Sequence, residues 1–218
     1  MFKKTVVRFQ AEGGIELSAW LFVPDQQAAR LPAITMAHGY AGTKYHGIEP
    51  MAEAFAEAGF VVLVHDHRGF GDSGGEPRQD LNPWQQITDW RRAISYLQDR
   101  PEVDENRVGL WGTSFAGGHA IVLGATDRRV KAVVAQVPTI DGYTAGLRRV
   151  APEAVADLEA QFAAGTALLN PPPQRNSAAP DASPLARLDA KQTRRAKPPG
   201  VCLLPFVPAR APRRQFVF

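Results

Sequence analysis

A serine can act as a nucleophile where the backbone turns sharply enough to present its hydroxyl. That turn needs small residues two places before and two places after the serine, because strand and helix nearly touch there. Gly112-Thr113-Ser114-Phe115-Ala116-Gly117 offers this pattern, with a strand-like run, Arg107–Trp111, before it and a small-residue helical stretch, Phe115–Gly124, after it. Ser114 is therefore placed to attack an acyl carbon; in the alternative reading it caps the helix. Glycine is usual at the second small place, and here Ala116 stands there with Gly117 beside it to share the close approach. The Phe115 amide, at the helix start, points to where an oxyanion would develop. His38-Gly39-Tyr40 ends another strand, and either the Tyr40 amide or its hydroxyl serves as the second donor. Read instead as a tight turn, the same stretch makes His38 a partly buried structural residue.

Three other patterns compete for chemistry. Gly69-Phe70-Gly71-Asp72-Ser73-Gly74 matches the dinucleotide fingerprint, but a phosphate cradle needs a helix to open directly from the glycines. Pro77 and a polar stretch come first, so the segment is a Gly-rich loop beside the site with Arg68 and Asp72 as its fasteners. His65 and His67 straddle Asp66 at a strand end, yet no third ligand accompanies them, so no metal is expected. Asp141 follows the sixth strand, either as the acid that orients a histidine or as the cap of the next helix or turn. No cofactor is expected.

The elements that must position these residues alternate. Lys4–Gln10 and Glu16–Val23 flank Glu12-Gly13-Gly14 as a hairpin, and Pro32–His38 is a third strand. Glu49–Ala58 is a helix with Met51 and Phe55 on one face, stopped by Gly59. Phe60–Asp66 is a continuous apolar run, as in a strand covered on both faces. Asn82-Pro83 starts a helix with Ile87, Trp90, Ile94 and Leu97 on one stripe, ending before Pro101. Val130–Gln136 is the sixth strand and Ala151–Leu169 is helical. The fold class is α/β: a mostly parallel sheet with helices on both faces, after an antiparallel start. His38, Asp66 and Ser114 all fall at the carboxyl ends of strands, where such sheets bind ligands.

The chain has 218 residues, 44% of them apolar, enough for one globular domain with a sizeable core. Its net charge of +3 conceals two unlike parts. Residues 1–170 hold 16 Lys and Arg against 20 Asp and Glu, whereas residues 171–218 hold 9 against 2, with 10 of the 18 prolines and no helical or strand periodicity. The Pro/Arg-rich tail lacks the interleaved aromatics that would stack bases, so no nucleic-acid partner is expected. Within it, VCLLPFV is strand-like, but Pro205 argues against a central position. The single cysteine, Cys202, excludes an internal disulfide framework, and Arg8 interrupts the N-terminal apolar run. A cytoplasmic protein without a membrane segment is expected.

HGYAG, HDHRGFGDSGG and WGTSFAGGHA, in that order, resemble the α/β-hydrolase superfamily, and most of all its dienelactone-hydrolase-like and X-prolyl-peptidase-like serine hydrolases. The resemblance covers residues 1–170. It implies that Ser114 is the nucleophile, that Tyr40 and Phe115 supply the oxyanion hole, that Asp66–Gly74 shapes the site and that the substrate is a small acyl compound. A typical member continues with a cap and two strands bearing the acid and the histidine. Here the only histidine after Ser114 is His119, in the same helix and off the nucleophile's face. These features predict an α/β-hydrolase sheet incomplete on its C-terminal side, ending at the sixth strand, with a reading frame that shifts between about Leu169 and Ser177. The competing function is a hydrolase-like protein that binds without catalysis.

Overall fold

The computed structural model describes residues 1–25, 30–169 and 201–204. Met1–Thr139 and Pro198–Phe218 form one compact unit and Ile140–Lys197 a second. In the first, β1 (Phe2–Gln10) and β2 (Glu16–Pro24) form the hairpin, turning through a 3-10 segment, Glu12–Gly14. Then come β3 (Leu31–Ala37), α1 (Glu49–Glu57), β4 (Val61–His65), α2 (Pro83–Gln98), β5 (Val103–Thr113), α3 (Phe115–Thr126), β6 (Val130–Gln136) and β7 (Val201–Leu204). The second unit contains α4 (Gly142–Leu147) and α5 (Val155–Leu169).

The sheet order is β1-β2-β4-β3-β5-β6-β7. β2 pairs antiparallel with β1 and β4, and every later pairing is parallel. Strand β4 is buried along its whole length, as its unbroken apolar run requires. One face carries α2 and α3 over a core that includes Leu21, Leu63, Trp90, Ile94, Leu97, Leu110 and Leu123. The opposite face carries α1 over Trp20, Phe22, Met36, Val62, Val64 and Trp111. The Trp90 indole N–H donates to the Thr35 hydroxyl at 3.0 Å, so the one polar atom that the ring brings into the core is satisfied.

Two features depart from the sequence expectations. Strand β5 begins at Val103 rather than Arg107, because Val103 pairs with Leu31 across an irregularity in the β3–β5 ladder that alternation does not reveal. The sheet does not stop at β6: Val201–Leu204 adds β7 parallel to it, and among the described residues β7 is the last strand on that side. The rest of the proposed tail, 171–200 and 205–218, and with it the region of the proposed frame shift beyond Leu169, lies outside the described residues. Helix α4 follows directly on Asp141, in line with the reading of that residue as the cap of the next helix or turn. Among the described residues no helix is long and apolar enough to cross a membrane.

Candidate active site

Ser114 occupies the sharp turn between β5 and α3 with φ 54° and ψ −115°, a backbone conformation that costs a non-glycine residue about 1–3 kcal/mol. Surrounding contacts hold it there. Its amide donates to the Gln136 carbonyl at 2.9 Å, and its own carbonyl accepts from Thr139 at 2.9 Å and Gly118 at 3.3 Å. A Cβ at Gly112 would overlap the Ala116 carbonyl, which is why the place two before the serine must be glycine. Ala116 is fully buried and its methyl is accommodated in the core, so glycine is not needed there. The Ser114 side chain makes no capping hydrogen bond to α3, which leaves the first-turn amides, that of Phe115 among them, without a side-chain cap.

The segment after β3 closes on the serine from the other side. A Cβ at Gly39 would stand 2.8 Å from the Ser114 Cβ and 3.3 Å from its Oγ, so the backbone before Tyr40 lies directly against the serine. Tyr40 is exposed, and its ring meets that of Phe115 edge-on at 5.9 Å. The chain then turns through Ala41, at φ 54°, and Gly42 folds back to donate to the Gly39 carbonyl at 3.1 Å. The structure thus brings Ser114, Phe115 and the Gly39-Tyr40 backbone together.

The loop after β4 is fastened residue by residue. Ser73 Oγ donates to the Asp66 carbonyl at 2.7 Å and accepts from the Ser18 amide at 2.9 Å. Arg68 forks onto Asp89 of α2 with two bonds of 2.6 Å, and Gly71 leaves room for the Asp66 carboxylate. Burial pushes the Asp89 pKa up, against the pull of Arg68. Asp72 is a fastener as well, through a partner that sequence reasoning missed. Lys44 is fully buried, and its ammonium donates to Asp66, to Asp72 at 2.7 Å and to the Ser18 hydroxyl at 3.3 Å. Tyr45 donates its hydroxyl to Asp72 at 2.6 Å. Burial opposes the Lys44 charge, but hydrogen bonds to Asp66 and Asp72 outweigh it and raise its pKa, while Lys44 and then Tyr45 lower that of Asp72. The one available signal was the pair Asp66 and Asp72 at a strand end, which needs a counter-ion.

Four histidines, His38, His65, His67 and His119, are buried in the interior, whereas His46 is exposed. His67 stacks edge-on with His65 at 5.0 Å and with His119 at 5.9 Å, and both His65 and His67 lie against Trp90. His119 packs under the Phe115 ring at 4.6 Å, with Nε2 3.0 Å from the Gln86 Oε1. Burial lowers the pKa of His119 to about 4 and of His65 to about 3; burial and then His46 lower that of His38 to about 4. His67 falls well below its ordinary value for the same first reason. Among the described residues no cluster could hold a metal ion. In the second unit Asp141 is exposed and caps α4, accepting from the Thr144 amide at 3.0 Å and from its hydroxyl, which together hold its pKa down.

The family pattern for X-Pro dipeptidyl-peptidases (S15 family) matches residues 13–201. The chain belongs to that family. Among curated relatives of this X-Pro dipeptidyl-peptidase family chain, the quorum-quenching protein AidA of Acinetobacter baumannii is 43% identical over 133 residues, which are 61% of this chain and 43% of AidA. Thiohydrolase aneE of Aspergillus aculeatus is 36% identical over 135 residues, 62% of this chain and 42% of that protein. The chain therefore spans less than half the length of these curated relatives. Of solved structures, the α/β hydrolase GrgF from Penicillium sp. sh18 superposes with a TM-score of 0.62 at 32% identity, over 77% of this chain and 56% of its own. An esterase from Pyrococcus furiosus, 24% identical with a TM-score of 0.59 over 67% of this chain and 56% of its own, shares the fold. The fold is that of an α/β hydrolase, as the sequence motifs implied.

Proposed function

We propose that the chain carries the nucleophile half of a serine hydrolase acting on carboxylic esters, thioesters or related acyl bonds through an acyl-enzyme at Ser114. The observation that carries this reading is the strained backbone of Ser114, held at a strand–helix junction with the Gly39-Tyr40 backbone packed against it. Strain of this kind is maintained only where surrounding contacts enforce it, and it clusters where function needs it. The chemistry follows from the parts. Ser114 Oγ attacks the acyl carbon, the carbonyl oxygen takes up negative charge, and the backbone amides of Tyr40 and Phe115 donate to it. Collapse breaks the bond to the leaving oxygen or sulfur, which departs as the alcohol or thiol by taking up the proton that the Ser114 hydroxyl gives up; the acyl ester left at Ser114 is then hydrolysed by water, which releases the acid and restores the hydroxyl. One oxyanion donor in such a hole is worth about a hundredfold to a thousandfold in rate. The thiohydrolase among the similar proteins favours this acyl chemistry.

A second reading, binding without catalysis, is favoured by the placement of His119. The only histidine that follows Ser114 in the sequence is bonded to Gln86 beneath Phe115 rather than to the serine hydroxyl. A fluorophosphonate probe separates the two. Covalent capture by the wild-type chain, abolished in Ser114→Ala, supports the hydrolase; a folded wild-type chain that never labels excludes it.

A further inference from the structure

We infer that Lys44 is a positioning residue that holds the Tyr40 segment against Ser114; this rests on the reading of Ser114 as the nucleophile. The segment that leaves β3 at His38 has a fixed beginning, because β3 is paired on both sides. It has no helix or strand before α1, and Tyr40, Ala41 and Tyr45 face outward. What fixes its far side is Lys44, four residues beyond Tyr40. Its amide donates to the Asp66 Oδ1 at 2.7 Å, and its ammonium reaches the Oδ2 of the same carboxylate, so backbone and side chain grip one residue. Asp66 in turn sits at the end of β4 and accepts the Asp72 amide at 3.0 Å. The carboxylate thus gathers three donors, and the ammonium also ties in Asp72 and Ser18.

The consequence is geometric. Tyr40 lies between two anchors, the end of β3 and the Lys44 clamp, and Gly39 is pressed onto the serine between them. Holding an amide where charge develops, rather than letting it swing, is what makes an oxyanion donor effective. A fully buried lysine beside two aspartates is a poor choice for stability alone, since apolar residues of similar volume often do as well. Its double attachment to Asp66 instead sets the path of the loop.

The test compares Lys44→Met with the wild-type chain in two measurements: amide hydrogen exchange over residues 38–47, and the kinetics of Ser114 phosphonylation resolved into an inactivation rate and a binding constant. Exchange at least about tenfold faster in that segment, with the inactivation rate down about tenfold to a hundredfold and the binding constant unchanged, supports the inference; the bound is the loss of one oxyanion donor. A folded variant that reacts at the wild-type rate, or that loses only probe binding, overturns it. If Lys44→Met does not fold, Asp72→Asn is used, since it loosens the clamp while Asp66 stays paired. A severalfold lower inactivation rate then supports the inference and an unchanged rate overturns it. If the wild-type chain itself does not react, the nucleophile reading fails and takes this inference with it; a reactive wild type with equally reactive variants removes the role of Lys44 alone.

Discussion

Gly39 and Gly112 bound Ser114 from two sides, and each has a different reason to lack a side chain. At Gly112 a methyl would overlap the backbone of α3 itself, so substitution there attacks the fold. At Gly39 a methyl would meet the side chain of Ser114, at 2.8 Å from its Cβ, and the Gly39 backbone is not in the left-handed region. Gly39→Ala should therefore leave the melting temperature within a few degrees of wild type while slowing probe capture at Ser114 by about tenfold or more, since small displacements of reacting groups carry large rate penalties. Equal capture rates would show that the loop does not bear on the serine. Ser114 and its glycine were legible in the sequence because the constraint on them is local: strand, turn and helix lie within a few residues. Lys44 was not legible, because the partners that bury it stand 22, 26 and 28 positions away. Nothing in AGTKYHG distinguishes a buried lysine from a solvated one.

Among the elements, α2 does most to connect the core with the loops around the serine. Its apolar stripe of Ile87, Trp90, Ile94 and Leu97 is buried as the periodicity required. Its buried polar residues make the connection to the loops: Gln86 meets His119, and Asp89 holds Arg68. The helix starts at Asn82, whose side-chain oxygen accepts the amides of Trp84 and Gln85, both at 3.1 Å, with Pro83 in the first turn. Asn82→Ala should cost about 0.5–2 kcal/mol. A urea titration of the variant should show its midpoint shifted down with an unchanged slope; an unshifted midpoint would mean that the cap contributes nothing. Periodicity and caps made α1, α2, α3 and five of the strands readable to within a few residues. The strand start at Val103 escaped because a ladder irregularity fixes it rather than a pattern of apolar residues, whereas the start of α4 was marked by its cap, Asp141.

For the whole molecule, the buried imidazoles set the response to acid. In the unfolded chain a histidine titrates near about 6.5, whereas in the fold His38 and His119 stay neutral down to about 4 and His65 to about 3. Between these limits the unfolded state binds protons that the folded state refuses, so stability is complete above the unfolded value and is lost as pH falls. The groups facing His67 are other imidazoles and Trp90, which give a positive charge no relief. Melting temperatures should be level above pH 7 and fall steadily from about pH 6.5 toward pH 4, before carboxylates such as Asp72 contribute; a flat profile through that window would contradict the burial of these rings. The proposed acyl-enzyme at Ser114 can be read from the intact mass of the chain during incubation with a short-chain nitrophenyl ester. One added acyl mass, mapped to the peptide containing Ser114 and absent from Ser114→Ala, is the expected result. A folded chain that stays unmodified, or that takes the acyl group elsewhere, would contradict it.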